Sequence, residues 1–373
     1  MKQNKETHRI IISGGGTGGH IYPAIAIADA IKKLEPDAEI LFVGATGRME
    51  MEKVPSAGYS IKGLPIAGLQ RGYSPSALIS NLALPIRLLK SIREAGRILR
   101  DFKPHVAVGV GGYASGPLLW AASRRRIPYY LQEQNGFAGK TNKMLAGKAE
   151  KIFVAYPDMD KFFPAEKIVL TGNPIRSQIR LADAQQKASA LGFFGLDPHK
   201  KTLLVIGGSL GAATLNRCMI DFLPLAAESG IQVIWQCGRS GKEAATAAMN
   251  TYTGIPVFLY DFLSRMDLAY AVADVVISRA GAGSISELCI AGKACIFVPS
   301  PNVAEDHQTH NAMALVKEHA GLLIRDVDAQ TELMPAALKL IKDPEKTNLF
   351  SSNILKISRP DAASQIAEII LEK

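Results

Sequence analysis

Short runs of β-branched and aliphatic residues recur along the chain, each followed by a stretch whose apolar positions return every three to four residues. Unbroken apolar runs predict buried strands and the 3.6-residue spacing predicts helices, so the alternation is that of βαβ units with parallel sheets. The predicted strands are 9–13, 39–43, 105–110, 128–132, 151–154, 202–206, 232–236, 257–260, 274–278 and 295–299. The series divides near Gly172-Asn173-Pro174, after which a polar, helix-forming segment leads to a second set. The expected architecture is α/β, with two doubly wound domains facing across a cleft. Their bounds fall at 1–174 and 175–359, and a last helical pattern within 360–373 is expected to cross back onto the first domain.

Composition narrows the class. At 373 residues, 47% hydrophobic and 21% charged, the chain is of ordinary globular kind, neither fibrous nor disordered. Roughly 18 apolar residues are needed to span a bilayer, and no run approaches that, while the start MKQNKETHRIII has no signal-peptide core; a cytoplasmic protein is expected. Cys218, Cys237, Cys289 and Cys295 show neither CxxC pairing nor a neighbouring His at metal-ligand spacing, which predicts buried free thiols. The net charge of +9 is uneven: residues 1–174 hold 24 basic and 14 acidic residues, the remainder 19 and 20. A basic first half suits an anionic partner there, whether a membrane surface, a phosphorylated ligand or nucleic acid.

The chemistry is carried by glycine turns between strands and helices. The first is Gly14-Gly15-Gly16-Thr17-Gly18-Gly19-His20, followed by a helix with apolar Ile21, Ala24, Ile25, Ala28 and Ile31. Without Cβ atoms, backbone N–H groups can approach an anion, and the helix N-terminus adds about half a positive charge. Gly14, Gly16 and Gly19 formally satisfy GxGxxG, but a dinucleotide site also needs an acidic residue at the end of the next strand. That strand runs into Gly44-Ala45-Thr46 with no carboxylate before Glu50. Further turns at 111–117 (GGYASGP) and 207–212 (GGSLGA) follow strands. Any one such turn is explained by a tight corner alone, but three across both halves favour a diphosphate ligand. A fourth corner, 278–287 (SRAGAGSISE), leaves Glu287 two roles. It either closes a capping box with Ser284 or accepts two hydrogen bonds from a ribose diol.

The motifs GGGTGGHIYPA, GVGGYASGP, QEQN, GNPIR, GGSLGA, SRAGAGSISE and DHQTHNA occur in the order of one family. The sequence resembles the MurG family, N-acetylglucosaminyltransferases that complete lipid II in bacterial peptidoglycan synthesis, from about Ile10 to about Ala363. The resemblance implies the GT-B fold, UDP-N-acetylglucosamine as donor held mainly by the C-terminal domain, and lipid I, an undecaprenyl diphosphate bearing muramoyl pentapeptide, as acceptor. It implies inverting transfer to the C4 hydroxyl of the muramoyl sugar. Such a displacement needs a base and stabilisation of the leaving diphosphate.

By that similarity His20 is the candidate base, kept neutral by its helix N-terminus, with bonding of the glycine loop or a phosphate as its other role. Glu133 is a second candidate acid or base. The donor contacts implied are Thr17, Gly18, Gly19, Asn135, Arg176, Ser209, Met266, Glu287 and Gln308: Glu287 takes the ribose hydroxyls and Ser209 the diphosphate. Arg176, just past the hinge, would offset charge on leaving UDP. Gln308 and Asn135, with Thr17 beside them, would bond sugar hydroxyls or the acetamido group. Gly15, Gly16, Gly111, Gly112 and Tyr113 form the expected acceptor diphosphate loops. No DxD-like motif stands at a strand end, and neither cofactor nor obligatory metal is expected.

In residues 74–103, Leu78, Ile79, Leu82, Leu84, Ile86, Leu88 and Leu89 lie close to Arg87, Lys90, Arg93, Arg97 and Arg100. That is either a pair of core helices with a basic outer face or a shallow anchor in an anionic leaflet. A lipid-linked acceptor favours the anchor, and a peripheral enzyme on the cytoplasmic face of the inner membrane is expected. Two enzyme classes compete: a UDP-sugar epimerase of the same two-domain fold, which would need paired carboxylates, and a dinucleotide oxidoreductase, which explains only the first turn. No nucleic-acid motif accompanies the basic half, so no nucleic-acid partner is expected.

Overall fold

The computed structural model describes residues 7–66, 84–208, 210–252, 254–303 and 306–372. The chain forms two compact units, Met1–Arg176 with Pro360–Lys373, and Ser177–Arg359. Arg176, expected beyond the hinge, is therefore the last residue of the first unit's main segment.

The first unit runs β1 (Arg9–Gly14), α1 (Gly18–Leu34), β2 (Glu39–Ala45), α2 (Glu50–Ser56), β3 (Ser60–Leu64), α3 (Leu84–Phe102), β4 (Val106–Gly111), α4 (Ser115–Arg124), β5 (Tyr129–Glu133), α5 (Lys140–Leu145), β6 (Ile152–Val154) and β7 (Ile168–Leu170). Its parallel sheet has the order β3-β2-β1-β4-β5-β6-β7. Both faces are covered, which is why the strands read as continuous apolar runs. Ile10 and Ile12 pack against Ile21, Ala24 and Ile27 of α1, while Ile11 between them faces Ala95, Ile98 and Leu99 of α3 on the other side.

The second unit runs α6 (Ala184–Phe194), β8 (Lys201–Ile206), α7 (Ala213–Ala226), β9 (Ile231–Gln236), α8 (Lys242–Met249), β10 (Val257–Tyr260), α9 (Met266–Val272), β11 (Val275–Ser278), α10 (Ala282–Ala291), β12 (Ala294–Phe297), α11 (His307–Lys317), β13 (Leu322–Leu323), α12 (Ala329–Ile341) and α13 (Pro344–Ile357). Its sheet, also parallel, has the order β10-β9-β8-β11-β12-β13. The chain then returns to the first unit as α14 (Ala362–Leu371), whose Ile366, Ala367 and Ile370 join the layer around α1. Tyr130 Oη donates to Ile369 O over 3.4 Å from beneath that helix.

Three strands, β3, β7 and β13, were not predicted, and all three are sheet edges. In each unit the strand order reverses once, between β1 and β4 and between β8 and β11. The turns beyond the carboxyl ends of those strands are where a doubly wound sheet opens to a ligand.

Candidate functional site

At the first reversal the two glycine turns are in backbone contact. Gly112 has φ +89°, and a Cβ there would lie 3.0 Å from both N and C of Gly15 and closer still to its O. Ser115 Oγ, buried at the start of α4, lies 3.0 Å from Ser13 O and 2.9 Å from Gly111 O, linking the ends of β1 and β4. His20 sits in the first turn of α1 with its ring edge against Gly111, where a Cβ would come within 2.6 Å of Cδ2. Its Nδ1 is 3.1 Å from Gly15 O and 3.5 Å from Thr17 Oγ1. A carbonyl only accepts, so Nδ1 is assigned the proton and Nε2 is the basic nitrogen of the neutral ring. Thr17 and Gly19 are exposed, Gly18 half-buried, and Tyr113 is 49% exposed.

Glu50 entered the sequence reading only as an acid placed too late for a ribose. It is buried: Oε1 accepts Ala45 N–H and Oε2 accepts Gly16 N–H, both at 2.9 Å. Gly15 and Gly44 leave the space its side chain fills. The carboxylate after β2 thus props the glycine turn, and the Gly16 N–H expected at a diphosphate is donated to Glu50 instead.

At the end of β5, Glu133 is also buried. Its Oε1 accepts Asn135 N–H at 3.3 Å, and Oε2 accepts Gly139 N–H at 3.0 Å and Asn142 Nδ2–H at 2.9 Å. The carboxylate expected as acid or base shapes the loop that carries Asn135. Gln132 Nε2 donates to Asn173 Oδ1 and Asn173 Nδ2 to Gln134 O, both at 3.0 Å, tying this strand end to the 172–174 segment. The Arg176 guanidinium lies 5.2 Å from the centre of the Tyr22 ring.

In the second unit the 207–212 turn packs on a turn the sequence reading passed over, Cys237-Gly238-Arg239. Gly211 and Gly238 touch backbone to backbone, so neither has room for a Cβ. Asn216 fixes the pair by donating to Cys237 O at 2.9 Å while accepting Trp235 Nε1–H at 3.1 Å. Ser209 lies outside the described residues.

At the fourth corner α10 starts at Ala282 with Gly281 as its cap, so Ser284 is already inside the helix and no capping box forms. Glu287 instead accepts a hydrogen bond from the buried Tyr270 hydroxyl, 3.0 Å to Oε2, a partner the sequence gave no sign of. Met266 opens α9 and is buried. Gln308 Oε1 accepts Ser300 N–H at 2.9 Å, which sets the orientation of the amide. Arg279 Nη1 bonds Asp326 and the carbonyls of Val298 and Pro299, while Asp326 Oδ2 accepts Thr214 Oγ1–H at 2.9 Å. That network joins the ends of β11 and β12 to the start of α7.

Among the described residues no group of three or more His, Cys, Asp or Glu is arranged to hold a metal ion. All four thiols are buried and unbridged, and burial pushes Cys218 up to about 11 and Cys289 to about 12.

Residues 10–154 match the glycosyltransferase family 28 N-terminal domain and residues 202–366 the family 28 C-terminal domain. With two Rossmann-like parallel-sheet units, these matches define the class: a GT-B glycosyltransferase of family 28. The UDP-N-acetylglucosamine--N-acetylmuramyl-(pentapeptide) pyrophosphoryl-undecaprenol N-acetylglucosamine transferase of Parabacteroides distasonis is 55% identical over 365 residues, covering 98% of each chain. The enzyme of the same name from Bacteroides fragilis is 52% identical, covering 98% of this chain and 95% of that one. The crystal structure of Acinetobacter baumannii MurG superposes with a TM-score of 0.75 at 25% identity, covering 98% and 100% of the two chains. A UDP-GlcNAc 2-epimerase from Neisseria meningitidis shares the fold, with a TM-score of 0.67 at 15% identity, covering 98% and 100%. The chain belongs to the MurG family.

Proposed function

We propose that the protein transfers N-acetylglucosamine from UDP-N-acetylglucosamine to the C4 hydroxyl of the muramoyl sugar of lipid I, forming lipid II with inversion at the anomeric carbon. The observation that carries this is 55% identity to a transferase of that name over 98% of both chains. The first unit takes the lipid-linked acceptor and the second the donor.

In the reaction His20 Nε2 removes the C4 hydroxyl proton as that oxygen bonds to the anomeric carbon. The bond from that carbon to the UDP oxygen breaks, and UDP leaves with the electron pair. The hydrogen bond from Nδ1 to Gly15 O supports this role, because it holds the ring in the tautomer whose Nε2 is basic. Glu287 receives the ribose diol, its carboxylate oriented by Tyr270. Gln308, Asn135 and Thr17 bond the sugar, Met266 adds apolar surface, and Gly18, Gly19, Ser209 and Arg176 meet the diphosphate and its developing charge. Gly15, Gly111, Gly112 and Tyr113 serve the acceptor diphosphate. Glu133 positions the Asn135 loop rather than moving a proton.

The enzyme works as a peripheral protein on the cytoplasmic face of an anionic membrane. In the first turns of α3, Ile86 is 60% and Leu89 59% exposed beside Arg87 and Lys90, although the later turns pack into the core through Ala95, Ile98 and Leu99. Leu78, Ile79 and Leu82 lie outside the described residues. Trp120 on α4 is 47% exposed with the Arg124 guanidinium 5.6 Å from its ring, a further interfacial anchor the sequence reading missed. A groove lined by Lys90, Arg93, Arg97 and Arg100, with Glu94 paired to Arg97 at 2.6 Å, adds a net cationic surface. Among the described residues no helix is long and apolar enough to cross a membrane.

The test is transfer of labelled N-acetylglucosamine to a lipid I analogue by wild type, His20→Ala and Glu287→Ala proteins of verified fold. Product from wild type, a slower chemical step for His20→Ala and weaker donor binding for Glu287→Ala are expected. Conversion of UDP-N-acetylglucosamine to an epimer without transfer would overturn the reading.

A further inference from the structure

Gly15 O and Gly16 N belong to one peptide group, and both ends of that group are engaged. His20 Nδ1 lies 3.1 Å from the carbonyl oxygen, while the N–H points at Glu50 Oε2, 2.9 Å away. A buried carboxylate, a peptide and an imidazole therefore form one hydrogen-bonded chain. The other carboxylate oxygen is anchored on Ala45 N–H at 2.9 Å, and the glycines at 15 and 44 leave room for the side chain to reach that position.

We propose that Glu50 is a positioning residue for catalysis, acting on His20 through the Gly15–Gly16 peptide. This rests on the reading of His20 as the base. A carboxylate accepting the peptide N–H draws electron density towards the carbonyl oxygen and strengthens that oxygen as an acceptor for Nδ1–H. The tautomer with Nε2 basic is thereby fixed, and the imidazolium formed when Nε2 takes the acceptor proton is stabilised by a negative charge one peptide away. Glu50 itself gains no proton. A base oriented by a third group is the general form of an activated proton acceptor; here the third group acts at one remove. Among the described residues, other titratable groups at this end of the surrounding elements include Tyr22 on α1, Arg48 and Glu52 at α2, Tyr113 in the β4 turn, Glu133 at the end of β5, Lys140 at the start of α5 and Arg176.

The wild-type test is ¹⁵N NMR of the histidine side chains, with the His20 signals assigned by their loss in His20→Gln. The neutral ring is expected to carry its proton on Nδ1, and a ring protonated on Nε2 would overturn the proposal without any change at Glu50. In Glu50→Gln, kcat should fall about tenfold or more. KM for UDP-N-acetylglucosamine should stay within about twofold. The acid limb of the kcat–pH profile should move to lower pH, and Glu50→Asp, which keeps the charge, should bring the limb part of the way back. A fall in kcat matched by a fall in folded fraction, with the limb unmoved, would make Glu50 a scaffold residue only and refute the proposal. Wild-type kcat in His20→Gln would instead remove the base itself, whatever the tautomer, so the two failures are distinguishable.

Discussion

Replacing Gly112 by alanine should damage the active corner more than its location in a turn suggests. The backbone there has φ +89°, a region that costs an L-residue about 1–2 kcal/mol. The new Cβ would also press on backbone atoms of Gly15, with N and C at 3.0 Å and O closer. No flexible side chain can give way, so the two turns must part, and overpacking of this kind costs about 1–3 kcal/mol. The total is about 2–5 kcal/mol. Gly47→Ala supplies the control, since Gly47 has φ +74° but no atom of the described residues within 4 Å of its Cβ position, leaving the conformational part alone. Urea unfolding read by amide hydrogen exchange in peptides of β1 and β4 isolates the first unit and should show Gly112→Ala about 1–3 kcal/mol below Gly47→Ala. Because Gly15 O is the partner of His20, parting the turns also displaces the imidazole, and a shift near 1 Å costs about a hundredfold in rate. Equal stability and equal kcat for the two alanine variants would refute the reasoning.

Lys293 is held at about 8, well below the usual 10.5, chiefly by burial, with its Nζ donating to Ala273 O. The unfolded chain keeps that proton to higher pH, so wild-type stability should rise relative to Lys293→Met between about pH 8 and 10.5. At roughly 1.4 kcal/mol per unit the gain reaches about 3 kcal/mol; parallel denaturation curves for the two proteins across that range would count against it. Tyr270→Phe removes the donor that orients Glu287 and should raise KM for UDP-N-acetylglucosamine about tenfold with kcat little changed, as steady-state kinetics would show. A double change of Ile86 and Leu89 to glutamate should leave the melting temperature in place, because both are exposed, and abolish flotation with anionic vesicles at low salt. Gly283→Ala should hold or raise stability by up to about 1 kcal/mol. It should also weaken donor binding measured by calorimetry.

What could be read from the sequence follows from how many sides of an element are buried. Ile10 to Ile12, Val106 to Val110 and Leu203 to Ile206 are covered on both faces, so each writes an unmistakable apolar run. The missed strands β3, β7 and β13 have one neighbour each and span five, three and two residues. In Ser60–Leu64 only Leu64 is buried, and Lys62 and Gly63 break any β-branched signal. The carboxylates were harder for a different reason. Glu50 stands in the first turn of a helix, where an acid is favourable on electrostatic grounds alone, and nothing in its spacing announces that it turns back onto Gly16 and Ala45. Glu133 was picked out by its motif, but its bonds to Gly139 and Asn142 come from residues six and nine places further on, after a loop has closed.

The glycine motifs themselves divide once the neighbours of each missing Cβ are known. At 14, 15, 111, 112, 211 and 238 the space is taken by the protein, so packing alone requires glycine and a ligand is not needed to explain it. Gly281 and Gly283 are different, for neither has a positive φ and neither Cβ position meets any atom of the described residues within 4 Å. A glycine in the first turn of α10 is also a poorer helix former than alanine by up to about 1 kcal/mol. Among the described residues neither conformation, packing nor propensity accounts for glycine at 283, whereas close approach by a group of a bound substrate would. That group would arrive at the N-terminal end of α10, in the turn beyond β11, at the second unit's point of strand reversal and one and a half turns before Glu287. With the donor ribose at Glu287, as proposed, a diphosphate seated at that turn would account for a glycine that the described atoms of the protein do not.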